Sequence, residues 1–332
     1  MVNMEEMWEI YHQDIPEFIK EFAGVKEMQR LKDVGMNCGC EYTNLKIFTT
    51  KYYYSRYEHS VGVALIIWHF TKDMKQSIAG LLHDIATPVF AHVIDFLNED
   101  YIHQQSTEDN TDTIIENSKE IMKLLDKYKL NIDDIKDYHM YPIADNDSPQ
   151  LSADRLEYTL GNLYNYGYCE LAEIKKFYND LIVDNNELGV EELQFRSKEI
   201  AYQFMKKAFM TFEIYVADSD RFSMQCLADV VRDAVNHKII SKEDLYSVES
   251  LVIKKLEENE RSCKLWNQYK DYSKIIISKD KPESGYYINV NAKRRYINPL
   301  VMGKRVSLWF VDINDMIDEF VNRDFNFWIG AK

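Results

Sequence analysis

Eleven glycines and six prolines are spread over 332 residues, so long stretches of this chain hold nothing that interrupts a helix. Between Glu58 and Phe70 the apolar positions Val61, Val63, Leu65, Ile66, Ile67 and Phe70 cover most sides of a helix, the pattern of a buried one. Ser77 to Ile85 reads as a second apolar helix, Ala86-Thr87-Pro88 interrupts it, and Val89 to Leu97 resumes as a third. Asp109 to Asp112 is polar and predicts a loop before a helix from about Ile114 to Tyr128. Pro149 and Ser152 announce another start, with Leu151, Leu156, Leu160 and Leu163 at helical spacing. Further helices are expected over 170–182, 191–211, 218–236 and 242–260. The tail changes character: Ile275-Ile276-Ile277, Tyr286 to Val290 and Val306 to Phe310 are short β-prone runs between polar turns. The expected fold is mainly α, a helical body over 1–260 with a small mixed α+β C-terminal region over 261–332.

Charge narrows the function. Forty Lys and Arg against 55 Asp and Glu leave a net charge of −15. A broad basic face for long nucleic acid is not expected, nor is adsorption to an anionic membrane, although a few placed Arg and Lys can still build a local anion pocket. The five cysteines, 38, 40, 169, 226 and 263, are odd in number and scattered, which argues against a disulfide framework. The one-residue gap of Cys38-Gly39-Cys40 is too short for a zinc knuckle, and two small buried thiols in a turn are expected there. The acidic start lacks the order of a secretory signal, and no apolar run approaches the ~20 residues of a membrane span. The chain reads as soluble and cytoplasmic.

The chemistry gathers around histidine. His59, His83, His92 and His103 fall within one 45-residue stretch. His83 is followed directly by Asp84 at the end of an apolar helix, where an ionised carboxylate is costly unless a cation or hydrogen bonds compensate it. A divalent metal does so, and imidazole plus carboxylate suits Mn, Fe, Zn, Co or Ni. His59, on a neighbouring helix, and Asp154, on a later one, supply the third and fourth ligands. Four such ligands leave room for a water made more acidic by the ion. His92 and Asp95 are three apart and share a helix face, so Asp95 can hold His92 in one tautomer and raise its pKa, as suits a proton donor. Asp154, Tyr158 and Asn162 line up at i, i+4 and i+8. Arg56, three residues before His59, would bring a cationic fork to a phosphate.

Five blocks, in order, resemble the HD-domain metal-dependent phosphohydrolases, and within them the deoxynucleoside triphosphate triphosphohydrolase branch that includes the SAM-and-HD-domain enzymes. They are Met28 to Gly35, Arg56 to Ala64, Ala79 to Ile85, Pro88 to His92 and Leu151 to Tyr158, with fainter likeness to about residue 260 and at Lys293 to Pro299. The resemblance implies an HD-domain helical bundle with its core at about 50–165. It implies one divalent ion (Mn, Fe, Mg, Zn, Co or Ni) held by His59, His83, Asp84 and Asp154. His92 and His103 would be catalytic imidazoles supported by Asp95. Tyr158, Gln29, Asn162, Arg56 and Arg155 would meet substrate, with Arg221, Lys293 and Arg294 as further phosphate candidates.

Two departures stand out. Ala86-Thr87 replaces the Gly-His that follows the His-Asp pair in triphosphohydrolases, which predicts a mononuclear site, and Gln104 replaces the usual Glu after His103. Asn162 also stands where those enzymes show Asp. The reaction implied is conversion of a dNTP to deoxynucleoside plus triphosphate, by a protein that can form a homo-oligomer. The alternatives are an HD-type phosphodiesterase or nuclease on cyclic or short oligonucleotides, and a non-catalytic nucleotide sensor.

Overall fold

The computed structural model describes residues 5–98 and 110–332. Three short helices, α1 (Glu5–Tyr11), α2 (Glu17–Ala23) and α3 (Lys26–Gln29), lead to the long buried helix α4 (Arg56–Thr71). Its start is fixed by a capping box: Ser55 Oγ accepts from the Glu58 amide at 3.3 Å, and Glu58 Oε2 accepts from the Ser55 amide at 2.7 Å. Val61, Val63, Leu65, Ile66 and Ile67 are all buried, each contributing about 1.5–3 kcal/mol by leaving water. Asp73 caps α5 (Met74–Leu82) by accepting from the amides of Lys75 and Gln76, and α5 lies along α4. After α6 (Val93–Leu97), α7 (Thr111–Asn117) and α8 (Lys119–Tyr128), Ser152 Oγ caps α9 (Ala153–Asn165), which packs on the other side of α4.

The approach of α4 to α9 depends on small residues. A Cβ on Gly62 would sit 2.5 Å from Glu157 Oε1, and one on Gly161 would sit 2.6 Å from the Tyr54 hydroxyl. Any larger residue would push Glu157 out of the interface.

Beyond α10 (Leu171–Asn179), residues expected to be helical form a hairpin instead. Strands β1 (Leu181–Asn185) and β2 (Glu191–Phe195) pair antiparallel, with Leu181 opposite Phe195. Helix formation over 191–211 therefore begins only at α11 (Lys198–Tyr215). The strand is explained by its partners: β2 pairs in parallel with the tail strand β5 (Leu300–Val301), and the fully buried Glu192 receives Arg305 Nη1 at 2.6 Å. Helices α12 (Asp218–Asn236), α13 (Glu249–Glu258) and α14 (Glu260–Asp271) follow, α12 packing against α6 and α14. Strands β3 (Ile275–Ser278) and β4 (Tyr287–Ile288) both pair antiparallel with β7 (Trp328–Ala331), and β6 (Lys304–Arg305) pairs with β5. Val306–Leu308, expected to be extended, is a 3-10 turn that leads to α15 (Val311–Asn322).

Two apolar clusters hold the molecule together. One is built around α4, α5 and α9 and includes the tail residues Ile297, Val301, Ile313 and Phe320. The other is built around α6, α12 and α14 and includes Ile288 and Ile329. The tail thus contributes to both. No helix among the described residues is long and apolar enough to cross a membrane, and all five cysteines are free thiols.

Candidate metal centre

A cavity of about 650 Å³ is lined from both clusters, by Tyr138 and Tyr296 on one side and Phe48, Phe96, Ile214 and Met224 on the other. At one end α4 contributes His59, the last turn of α5 leads into His83 and Asp84, and the first turn of α9 carries Asp154. Asp154 Oδ1 lies 3.0 Å from His59 Nε2 and 3.7 Å from His83 Nε2. The two imidazole Nε2 atoms are 3.3 Å apart. Among the described residues His59, His83 and Asp154 form the group whose donor atoms all fall within 4.8 Å of one another.

Asp84 stands at the edge of this group. Its Oδ2 lies 3.5 Å from His83 Nε2 and 3.9 Å from His59 Nε2. The same oxygen accepts from Arg56 Nη1 at 2.9 Å, while Oδ1 accepts from the Thr87 hydroxyl at 2.8 Å. Thr87, the residue that departs from the triphosphohydrolase pattern, thus orients the carboxylate. Burial works against ionising Asp84, but the Arg56 charge and the adjacent imidazoles hold its carboxyl well below the usual range.

The donor set fits a divalent cation. His59 Nδ1 lies 2.5 Å from Glu157 Oε2 and His83 Nδ1 lies 2.7 Å from the Gly80 carbonyl. With each Nδ1–H donated to an acceptor, both Nε2 atoms present lone pairs to one another and to Asp154, an arrangement that calls for a shared positive charge. The same field acts on a proton: burial resists charging His59, yet its hydrogen bonds to Asp154 and Glu157 outweigh burial and push the imidazole up to about 10. Burial likewise opposes the charge on Asp154, but His59, His83 and Arg155 keep its carboxyl well below the ordinary range. Glu157 was not singled out from sequence. It is fully buried, three residues after Asp154 on the same helix face, and it also accepts a short hydrogen bond from the Tyr54 hydroxyl.

The rest of the cavity separates the other expected site residues. Arg56, His92, Arg155, Tyr158 and Asn162 line it, as do Arg221, Lys293 and Arg294. Burial pushes the Tyr158 phenol up to about 12, so it stays a neutral donor. Asn162 Nδ2 donates to the Tyr215 hydroxyl at 2.8 Å, and Arg155 is tied down by Asn146 and by Asp145 at 3.1 Å. Gln29 does not reach the cavity: its amide donates to the Ala23 carbonyl at 2.7 Å. Its neighbour Arg30 points toward the site from behind, donating to the carbonyls of Ile85 and Thr87 at 2.7 and 2.8 Å, directly after the His83-Asp84 pair. His103 and Gln104 lie outside the described residues.

His92 is presented by two consecutive residues at positive φ, Phe90 (60°) and Ala91 (45°), an uncommon backbone for such side chains. Its Nδ1 lies 3.0 Å from Asp95 Oδ2, as the spacing predicts. The expected rise in its pKa does not follow. Burial and then the Arg295 charge bring His92 down to about 4, and the Asp95 bond only partly offsets them. Arg295 and Asp220 also line the cavity and had no assigned role from sequence; burial raises the Asp220 carboxyl to about 7.

Residues 56–158 match the HD domain family. The chain is 26% identical to the uncharacterized protein YdhJ of Bacillus subtilis over 289 residues, covering 85% of this chain and 83% of that protein. It is 25% identical to the metal-dependent phosphohydrolase cns2 of Cordyceps militaris over 127 residues, covering 38% of this chain and 36% of that one. A crystal structure of a hypothetical protein from Aquifex aeolicus shares the fold, with a TM-score of 0.66 at 17% identity over 96% of this chain and 93% of that one. The segment that matches the HD domain family begins at Arg56 and ends at Tyr158, so it encloses all four proposed ligands.

Proposed function

We propose that this protein is a metal-dependent phosphohydrolase acting on nucleotides, converting a dNTP to deoxynucleoside and triphosphate. One observation carries the reading: His59, His83 and Asp154 converge at one end of a cavity whose remaining walls bring Arg56, Arg155, Arg295 and Tyr158. A carboxylate-imidazole centre beside several guanidinium groups suits a substrate that combines phosphates with an uncharged part. A divalent ion held by His59, His83, Asp154 and Asp84 would supply an acidified water and an electrophile for phosphate oxygen.

The chain's own residues do the remainder. Arg56 neutralises Asp84 and fixes the wall nearest the ligands. Glu157 and the Gly80 carbonyl keep both liganding imidazoles in the tautomer that leaves Nε2 available. Tyr158 offers a phenolic donor, and His92, fixed by Asp95, offers an imidazole for the proton of the departing oxygen. The anionic partner is small on this reading, and a long nucleic acid is not expected on a chain of net charge −15.

The test incubates purified protein with Mn and each dNTP and resolves products by ion exchange. Deoxynucleoside and triphosphate are expected, absent in the His83→Ala, Asp84→Ala control. No nucleoside, mono- or diphosphate above that control overturns the proposal. Products from a cyclic dinucleotide alone would move the protein to a phosphodiesterase class.

A further inference from the structure

We propose that Arg295 is a positioning residue for His92: it holds the imidazole as a neutral acceptor in the substrate-free protein, and an entering phosphate draws the guanidinium away and frees Nε2 to carry a proton. The inference rests on the phosphohydrolase reading and names how that site switches on. Arg295 arrives from the extended stretch between β4 and β5, 203 residues from His92, and its Nη2 lies 3.2 Å from His92 Nε2. A guanidinium has no acceptor, so in this contact the ring nitrogen must be the unprotonated one. The opposite nitrogen, Nδ1, faces Asp95 Oδ2 at 3.0 Å and carries the ring's proton.

In that state His92 cannot give a proton through Nε2. Among the described residues Asp95 on α6, Arg56 on α4 and Arg295 from the tail act on the ring, Cys38 from the loop before α4 meets the His92 backbone, and Asp220 on α12 acts on Arg295. From α12, Arg232 reaches the carbonyls of Phe96 and Leu97 at the far end of α6. Two of these cations act on the ring directly, against one carboxylate. Phosphate oxygens are anionic acceptors and match the guanidinium fork better than a neutral ring nitrogen does. Moving Arg295 onto phosphate therefore removes a cation from His92 and places an anion near it, two changes of the same sign.

The step balances. Once Arg295 has moved, Nε2 takes up a proton from solvent; water oxygen bonds to phosphorus, the bond from phosphorus to the ester oxygen breaks with its electron pair on that oxygen, and the His92 Nε2 proton passes to it. The proton lost by the water goes to solvent, and His92 ends neutral, ready for Arg295 again.

The test is an NMR titration of histidine-labelled, magnesium-loaded full-length protein, with His92 assigned through His92→Gln. The wild-type midpoint is expected near 4. Arg295→Met should raise it by about two pH units, and saturating inorganic phosphate should raise it in the wild type as well. Arg295→Lys, which keeps charge but loses the fork, should leave a smaller rise. An unchanged midpoint in Arg295→Met, with phosphate also without effect, overturns the proposal. If Arg295→Met fails to fold, the phosphate arm decides alone. These readouts need no turnover, so a protein that hydrolyses no dNTP sinks the proposed reaction separately.

Discussion

Two histidines of the cavity are treated in opposite ways. At the candidate metal site, His59 gives Nδ1 to Glu157 and meets Asp154 and His83 at Nε2. Elsewhere on the cavity wall, His92 gives Nδ1 to Asp95 and meets Arg295 at Nε2. Each ring thus has a carboxylate behind it, yet His59 is driven up to about 10 and His92 down to about 4. A carboxylate on one ring nitrogen fixes the tautomer; what faces the other nitrogen sets the charge. On the proposed reading, the group that gathers carboxylates takes a cation and the group that gathers guanidiniums receives an anion.

The sharpest way to break this contrast is at the candidate metal site. His83→Ala or Asp154→Ala should lower bound metal, measured by elemental analysis, from about one ion per chain to near none. Turnover should drop on the order of a thousand-fold. Full metal retention in either variant would separate these residues from the ion. A chelator should do to the wild type what these substitutions do, reversibly.

Arg56→Ala comes next, because it removes the cation paired with a buried carboxylate. In metal-free protein, urea denaturation should show a loss of about 3–5 kcal/mol. Adding the divalent ion should return part of it by offering Asp84 another positive partner.

Glu157→Gln keeps the shape but removes the charge behind His59. Metal affinity should weaken about 10–100-fold, with activity recovered at high metal concentration. An unchanged metal Kd would reduce Glu157 to a packing residue.

The smallest effect is at His92. An unfolded His92 takes up its proton near the ordinary 6.5 and the folded one only near 4. As pH falls through that window the unfolded state gains protons first, so folded stability declines with falling pH. The loss should be about 1–2 kcal/mol, below the full linkage value because the ring is 19% exposed. Denaturation curves of wild type and His92→Gln between pH 7 and 4 should diverge by that amount; parallel curves would show that His92 is not held neutral.

What was legible in the sequence was whatever lies close along the chain or in a dense apolar setting. The buried helix at 56–71, the His83-Asp84 pair at the end of α5 and the i, i+3 pairing of His92 with Asp95 all follow from local spacing. Glu157 was within reach of the same reasoning, as an acid between Leu156 and Leu160 that lies three residues after Asp154 on the same helix face. Gln29 was misplaced by one residue's rotation: a turn of about 100° per residue aims Gln29 at Ala23 and Arg30 at the loop after Asp84. The hairpin at 181–195 was hidden for a different reason. Glu191 and Glu192 look like an exposed helix start until Arg305, 113 residues later, arrives to neutralise the buried one. Arg295 was hidden likewise, since nothing near it in the chain announces that it will stand against His92.

The stretch 289–299 that carries Arg295 has no regular structure of its own; it is strung between β4, held by β7, and β5, held by β2. Ile297 within the span and Val301 of β5 are nevertheless buried in the cluster built around α4, α5 and α9. A change at Arg295 alters what stands beside His92, whereas a change at Ile297 or Val301 is felt by the helices that carry His59 and Asp154.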